Sequence, residues 1–324
     1  MPSSPVVVVG AGPTGVMAAL ALAVAGVDAL LLERHDDVYA LPRAVHLDDE
    51  VCRLLQGVGV GPAFEAIRRP ARGLRLLDAE HRTLAEFPRS PEPGRHGHPQ
   101  ANLFDQPDLE RLLRAQLAAT PGVRLRTSVE VVAVWSGSPP VVELRHRGTG
   151  RVERLEAAAV LGCDGADSLV RRSVGARWED LRFTERWLVV DVRCASPLGA
   201  WDGVHQVCDP ARAATFLRVG QDRYRWEFAL RDGESAQDLA RPDRLAALVR
   251  PWTGGVPSDR LEVLRSSEYV FRARLADRWQ SGRVFLLGDA AHQTPPFVGQ
   301  GLGAGLRDAA NLSWKLAAVL SGRA

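Results

Sequence analysis

An α/β fold joined to a second unit built on an antiparallel sheet is predicted by three features of this 324-residue sequence. The first is a β-branched run, Val6–Val9, followed at once by Gly10-Ala11-Gly12-Pro13-Thr14-Gly15 and an Ala/Leu-rich stretch to Ala25. The second is a pair of further short apolar runs, residues 157–161 and 284–287, each ending in a Gly/Asp turn. Short runs that are apolar on both faces suit buried parallel strands, because helices or other layers cover both sides of such a sheet. The third is a change of character from about Trp178 to Tyr269. There, segments such as 187–192, 214–219 and 224–230 are rich in aromatic and β-branched residues, as antiparallel strands are.

Along the chain, Gly26 stops the first helix, and Ala29–Leu32 forms a second buried strand with Glu33 at its end. Residues 47–56 read as a helix with Asp48, Asp49 and Glu50 in its first turn, where the helix dipole favours negative charge. Residues 68–100 are rich in Arg, Pro and Gly, and 90–99 is a loop. Asp105-Gln106-Pro107 opens a helix to about Ala118, with proline near its first position. Residues 123–134 and 141–146 alternate loosely as strands, and a helix over about 241–248 interrupts the antiparallel region. A glycine-rich stretch from Gly288 to Gly305 precedes a last helix over about 306–320.

Composition narrows the function classes. With 46% hydrophobic and 25% charged residues, the chain has the balance of an ordinary globular protein. Its 41 basic and 39 acidic residues leave a net charge of +2, so no field points to nucleic acid or acidic lipid. The four cysteines, Cys52, Cys163, Cys194 and Cys208, lack metal-ligand or C-x-x-C spacing and read as reduced thiols. The longest apolar stretch, 16–32, carries Gly26 and Asp28, and no basic segment precedes it. Neither a membrane span nor a secretion signal fits, and a cytoplasmic protein is expected. His96 and His98 sit in a Pro/Gly loop with no third ligand nearby, so no metal site is expected.

Gly10, Gly12 and Gly15 form G-x-G-x-x-G between a strand and a helix. The first glycine permits the tight turn, the second lets backbone approach a pyrophosphate, and the third lets helix pack on strand. The helix N-terminus adds free N–H groups and a positive dipole end. Glu33 follows Gly15 by 18 residues, near the spacing of an acid that takes ribose hydroxyls. This motif signals a dinucleotide without separating FAD from NAD. A second constellation, Gly288-Asp289-Ala290-Ala291-His292 before Pro295-Pro296 and Gly299-Gln300-Gly301, places a carboxylate at a strand end and a glycine-rich turn at a helix start. That pattern suits a polyol, a phosphate and the polar edge of a flavin.

Together, Gly10–Gly15 with Glu33, Cys163-Asp164-Gly165 with Ser168 and Arg171, and Gly288–His292 with Pro295 resemble the three motifs of the aromatic-ring flavoprotein monooxygenases, the para-hydroxybenzoate hydroxylase superfamily. The order and separation match over nearly the whole chain. Residues 42–50, 186–192, 208–210, 225–228, 307–312 and 314–316 are similar to segments of the 3-(3-hydroxyphenyl)propionate hydroxylase group, and polyketide-tailoring hydroxylases share many of them.

The resemblance implies a Rossmann-like FAD-binding domain from residues 1–70, 101–177 and 276–324, and an antiparallel-sheet substrate domain from 71–100 and 178–275. It implies that Asp289 binds the ribityl–pyrophosphate region, that Gly301 and Leu302 meet the flavin through backbone groups, and that Pro296 and Gly299 line the same turn. Glu33, Arg34, Arg43, Gln106 and Arg111 are expected around the phosphates and ribose, and Asp164 is expected to serve both FAD and NADH or NADPH. The family reaction delivers OH from a flavin C4a-hydroperoxide to a phenolic ring. The protein contributes binding, orientation and solvent exclusion. A base near the phenol is expected, and His46 is the candidate. A small aromatic substrate is the expected partner, with neither nucleic acid nor membrane, and self-association as a homodimer stays open.

Two departures from the family pattern stand out: Gly303 replaces a side chain beside the flavin, and the sequence stops at Ala324 where relatives continue. The alternatives are another flavin oxidoreductase on this fold, including polyketide oxidative tailoring, and a non-catalytic FAD-binding protein.

Overall fold

The computed structural model describes residues 4–39 and 43–324, with only the backbone of Val298; Pro42, which opens the 42–50 segment noted above, lies outside them. A six-stranded sheet runs in the order Gln280–Ser281, Val284–Leu286, Ala159–Gly162, Val6–Val9, Ala29–Leu32, Val123–Arg126. Every neighbouring pair is parallel except the edge pair of Gln280–Ser281 with Val284–Leu286. Alternation assigns its two faces. Val6, Val8 and Leu31 join the core under helices Pro13–Val24, Gln106–Ala119 and Gly301–Leu320. Val7, Val9, Leu30 and Leu32 face a three-stranded antiparallel sheet, Val129–Trp135, Val141–His146 and Val152–Glu156. The α/β architecture with parallel and antiparallel sheets is as expected.

The second large sheet has eight strands in the order His292–Gln293, Glu262–Ala276, Trp178–Arg193, Arg223–Ala229, Ala214–Arg218, Val204–Val207, Gly73–Leu77, Thr83–Pro88. One face buries Leu188, Val190, Phe216, Trp226 and Phe228 against Leu245, Val249 and Trp252 of helix Pro242–Thr253. The register Asp191↔Arg225, Val189↔Glu227 and Trp187↔Tyr269 puts the intervening residues on the opposite face. That face turns toward the parallel sheet's loops. Arg225 Nη1 donates to the Arg43 carbonyl at 2.7 Å, and Gln206 Nε2 donates to the Phe297 carbonyl at 2.7 Å. Arg69 with Asp202 at 2.5 Å, and Arg223 with Asp105, add ion pairs across the same boundary.

Several elements depart from the sequence reading. The helix expected over 47–56 begins at Asp49, because the Asp48 carboxylate accepts from Val51 N at 3.0 Å and caps it. The expected strand over 123–134 is two strands in two sheets, parted at Ser128 in the left-handed region with φ 55°. The Arg/Pro/Gly-rich segment supplies Gly73–Leu77 and Thr83–Pro88 to the second sheet, where Arg75 pairs with Glu86 across the two strands at 2.9 Å and lies over the Trp201 ring. The last helix starts at Gly301, five residues earlier than expected. Glycine there serves close packing rather than a loop: a Cβ on Gly305 would come within 2.5 Å of Thr14 Oγ1 and 3.2 Å of Gly288 Cα. All four cysteines are free, and Cys208 alone is exposed. Among the described residues, no helix is long and apolar enough to cross a membrane.

Candidate active site

The glycine fingerprint divides its labour. Gly10 holds φ 98°, and a Cβ there would stand 2.5 Å from the Cys163 carbonyl oxygen; a Cβ on Gly15 would overlap the Gly10 carbonyl oxygen. Both glycines let backbone touch backbone. Above Gly12 a Cβ would meet nothing within 4 Å, so this residue alone borders open space. Helix Pro13–Val24 starts at that opening with no side-chain cap, leaving its first amides free for an anion. Glu33, 8% exposed, accepts from Ala11 N at 2.8 Å through one carboxylate oxygen and from His35 N at 2.9 Å through the other. It therefore fixes the turn as well as standing beside it. Arg34 is exposed, with its Nε 3.2 Å from His35 Nε2.

The central motif is stitched to the third. Asp164 accepts from Ser168 Oγ at 2.5 Å and from Val170 N at 3.0 Å. Arg171 lies 4.0 Å over the Trp178 ring and reaches the Ala290 carbonyl at 3.2 Å. In the third motif Gly288 holds φ 58°. One oxygen of Asp308, from the last helix, accepts from Gly288 N at 2.9 Å and meets His292 Nε2 at 2.6 Å. Asp289 beside them is open to solvent yet walled by protein on most sides, the position of a group at the floor of a recess. Burial pushes its carboxyl above the usual range, and Arg43 opposes that shift. Asp308→Ala is expected to free the Gly288 turn and weaken FAD binding about tenfold, roughly the ~1.4 kcal/mol of one hydrogen bond. Flavin fluorescence titration checks it, and an unchanged affinity would detach Asp308 from the cradle.

Helix Gly301–Leu320 also begins without a side-chain cap, so no side chain among the described residues caps the amides of Gly301 and Leu302. Gly303 points elsewhere: its Cβ position lies 3.0 Å from Arg307 Nη1 and 3.4 Å from Val51 Cγ2. Arg307 in turn binds Asp48 and Glu50, each at 2.7 Å. Pro296 is half-buried, and Gly299, at φ 63°, packs on His46, whose Cβ would lie 3.1 Å from an added Cβ. His46 Nδ1 is buried at the Gly299 turn, and burial holds the imidazole below its usual range. Gln106 Oε1 accepts from Arg43 N at 3.0 Å and Ala44 N at 2.6 Å, while its Nε2 donates to Glu110 at 2.7 Å. The Gln106 side chain thus grips the Arg43 loop. Arg111 pairs with Asp108 at 2.6 Å on the exposed side of its helix.

Residues 225–228 carry no role that the sequence alone makes visible. The structure gathers Asp191, Arg225, Glu227, Arg265 and Tyr269 on the inward sheet face. Arg225 Nε binds Asp191 Oδ1 at 2.7 Å, and Arg265 Nη2 lies 2.6 Å from Asp191 Oδ2. Arg265 Nη1 donates to the Tyr269 hydroxyl at 2.8 Å. Alternating charges in a strand look like a solvated face, which hid this set. The register across three strands is what reveals it.

With this geometry in hand, the chain belongs to the FAD-binding domain family, whose profile matches residues 3–324, and FAD is its cofactor. It is 37% identical over 320 residues to a 3-(3-hydroxy-phenyl)propionate/3-hydroxycinnamic acid hydroxylase of Burkholderia cenocepacia (strain HI2424), covering 98% of this chain and 57% of the relative. It is 34% identical to a probable NADH-specific resorcinol 4-hydroxylase of Rhodococcus jostii (strain RHA1), covering 98% of this chain and 59% of that one. The chain thus spans less than two thirds of these relatives' length. Among solved structures, p-nitrophenol 4-monooxygenase PnpA from Pseudomonas putida DLL-E4 superposes with a TM-score of 0.90 at 26% identity, covering 99% of this chain and 81% of that one. Aklavinone-11 hydroxylase, in a ternary complex with FAD and aklavinone, gives a TM-score of 0.84 at 27% identity, covering 99% of this chain and 63% of that one.

Proposed function

We propose that this chain is a flavin-dependent monooxygenase that hydroxylates a phenolic ring, consuming NADH or NADPH and O₂. The observation that carries the reading is the convergence of two uncapped helix starts, Pro13–Val24 and Gly301–Leu320, on one recess with Asp289 on its floor. The close approach of Gly305 to Thr14 and Gly288 holds the two starts together. Such a recess fits FAD. The free amides and open space at Gly12 take the pyrophosphate, with Gly10 and Gly15 shaping the turn, and Glu33 and Arg34 lie on the ribose side. Asp289 takes the ribityl hydroxyls. Gly301 and Leu302 offer amides to the ring, with Pro296 and Gly299 beside them. Arg43, held by Gln106, adds positive charge, with Arg111 further out, and Asp164 braces the central turn.

When bound, FAD accepts a hydride from the nicotinamide and supplies one oxygen atom of O₂ to the ring. The chain's own residues orient the substrate and exclude water. Phe297 packs edge-on against Trp187 and Phe183, at 5.9 and 5.7 Å between ring centroids, and so brings the flavin-side turn down onto the inward sheet face. The aromatic substrate is assigned to this boundary, beside these rings, as ligand sites commonly lie at such boundaries. The names of the relatives support a simple phenol, and the likeness to aklavinone-11 hydroxylase supports a fused-ring phenol as the second candidate. A cytoplasmic setting, where NADH is at hand, goes with this reading.

The test is NADH and NADPH oxidation by FAD-loaded protein, with and without 3-(3-hydroxyphenyl)propionate or resorcinol. Phenol-stimulated oxidation with a hydroxylated product is the expected result. Bound FAD that no phenol makes reducible would leave the non-catalytic alternative in its place.

A further inference from the structure

The inward sheet face holds two arginines and two acids in one buried set. Arg225 is 1% exposed, Asp191 6% and Arg265 7%. Asp191 is spent on both guanidiniums, at 2.7 Å from Arg225 and 2.6 Å from Arg265. Glu227 is different. Its nearest cation is Arg225 at 4.0 Å, and no hydrogen bond reaches its carboxylate among the described residues. Its side chain is 15% exposed, so it opens to the space above the sheet. The register places that space. Gln206, which holds the Phe297 carbonyl, stands in register with Thr215 and Glu227 across the sheet, and Trp187, which packs the Phe297 ring, lies on the strand that pairs with Glu227's on its other side. The turn that carries Phe297 therefore spans the strip of sheet where Glu227 stands.

We propose that Glu227 is the group that takes the phenolic proton of the substrate, with Arg225, Arg265 and the Tyr269 hydroxyl holding the resulting phenolate. The assignment rests on the hydroxylase reading and names the proton acceptor that reading needs. The step balances within the site. The phenolic O–H bond breaks, the proton goes to a Glu227 carboxylate oxygen, and the bonding pair stays on the phenolate oxygen.

The negative charge thereby moves from Glu227 to the substrate without leaving the two guanidiniums. The buried set keeps two cations and two anions before and after, so the transfer incurs no new charge imbalance in a poorly solvated place. Burial also raises the proton affinity of Glu227, against the pull of Arg225, which brings it nearer to that of a phenol. The Tyr269 oxygen already accepts from Arg265, which leaves its own proton to donate to a phenolate. His46 has no comparable position, since its Nδ1 is sealed beneath the Gly299 turn.

The experiment uses the FAD-loaded chain and 4-nitrophenol, whose anion is yellow, at a pH below the ionisation of the free phenol. Read as a difference spectrum against the FAD-loaded chain alone, the expected result is a nitrophenolate band with the wild type and none with Glu227→Gln, at an affinity within about threefold. Glu227→Asp should give a partial band, and product formation by Glu227→Gln should fall about a hundredfold or more. Matching circular dichroism and FAD affinity establish that the Gln variant is folded; should it fail to fold, the Asp variant and the wild-type band carry the test. A Glu227→Gln complex whose nitrophenolate difference band equals that of the wild type overturns the assignment and leaves the hydroxylase reading intact. So does a wild-type complex with no nitrophenolate difference band, or a band abolished by His46→Asn and untouched by Glu227→Gln. No phenol bound or turned over by the wild type overturns both.

Discussion

Gly15→Ala is expected to cost the protein about 3 kcal/mol or more of stability and its affinity for FAD. An added Cβ would overlap the Gly10 carbonyl oxygen and stand 3.3 Å from Cys163 Cβ. The first of these is backbone, which no rotamer change can relieve. Gly10 cannot retreat either, because its own Cβ position is already 2.5 Å from the Cys163 carbonyl. Helix Pro13–Val24 would have to lift from the sheet, and Val16, Met17, Ala18, Ala19, Leu20 and Leu22 on it are buried. Overpacking usually costs about 1–3 kcal/mol, and a clash of backbone on backbone belongs at or past the upper end. A shift of the urea midpoint at constant slope measures it.

Gly12→Ala, three residues away, is the informative contrast. Gly12 has extended φ and ψ of −71° and 177° and open space above it, so stability should stay within about 0.5 kcal/mol. FAD affinity should still fall tenfold or more, because the methyl would occupy the space where the pyrophosphate approaches. An alanine at position 12 that leaves FAD affinity unchanged would put the phosphates elsewhere.

Asp191→Ala is expected to have the other large effect, about 3–5 kcal/mol of stability. The loss comes from what is left behind: two buried guanidiniums whose shared anion is gone. Glu227 is 4.0 Å from Arg225 and too poorly placed to replace it. Asp191→Asn keeps the size and a hydrogen-bond acceptor, so it should lose less. Thermal unfolding of the three proteins orders them. A loss under about 1 kcal/mol for the alanine variant would mean that water reaches the arginines, and the buried-set description would be wrong.

The parallel sheet and its fingerprint were legible in the sequence because each signal is local. Val6–Val9, the three glycines and Glu33 all lie within one βαβ unit, and the short apolar runs mark strands covered on both faces. The start of the last helix was not legible. Gly301, Gly303 and Gly305 look like a loop until the structure shows Thr14 and Gly288 pressed against Gly305. The strands at 73–77 and 83–88 were hidden by the arginines and prolines of the surrounding segment. Glu227 and Arg265 were hidden by a more general ambiguity. Alternation along a strand separates two faces but does not say which is covered, and here the polar face is covered too. Only the pairing of Asp191 with two strands, each more than thirty residues further along the chain, brings these charges together.

The two longest strands carry a mechanical consequence. Trp178–Arg193 and Glu262–Ala276 pair along nearly their whole length. Leu188, Val190 and Val192 at one end belong to the core beneath helix Pro242–Thr253, while Trp178 and Ala276 at the other end pack into the core of the parallel sheet. The ribbon is a single beam let into two walls. Between the two walls the pairing breaks at Asp180 and Phe183, with Arg182 at φ 59°, and a second shift, between Asp191 and Val192, lies at the end under helix Pro242–Thr253. Tilting one sheet against the other must therefore twist this beam, with the irregular step as its pliant point. Damage to either core travels along it, so heat should melt both sheets in one transition rather than two.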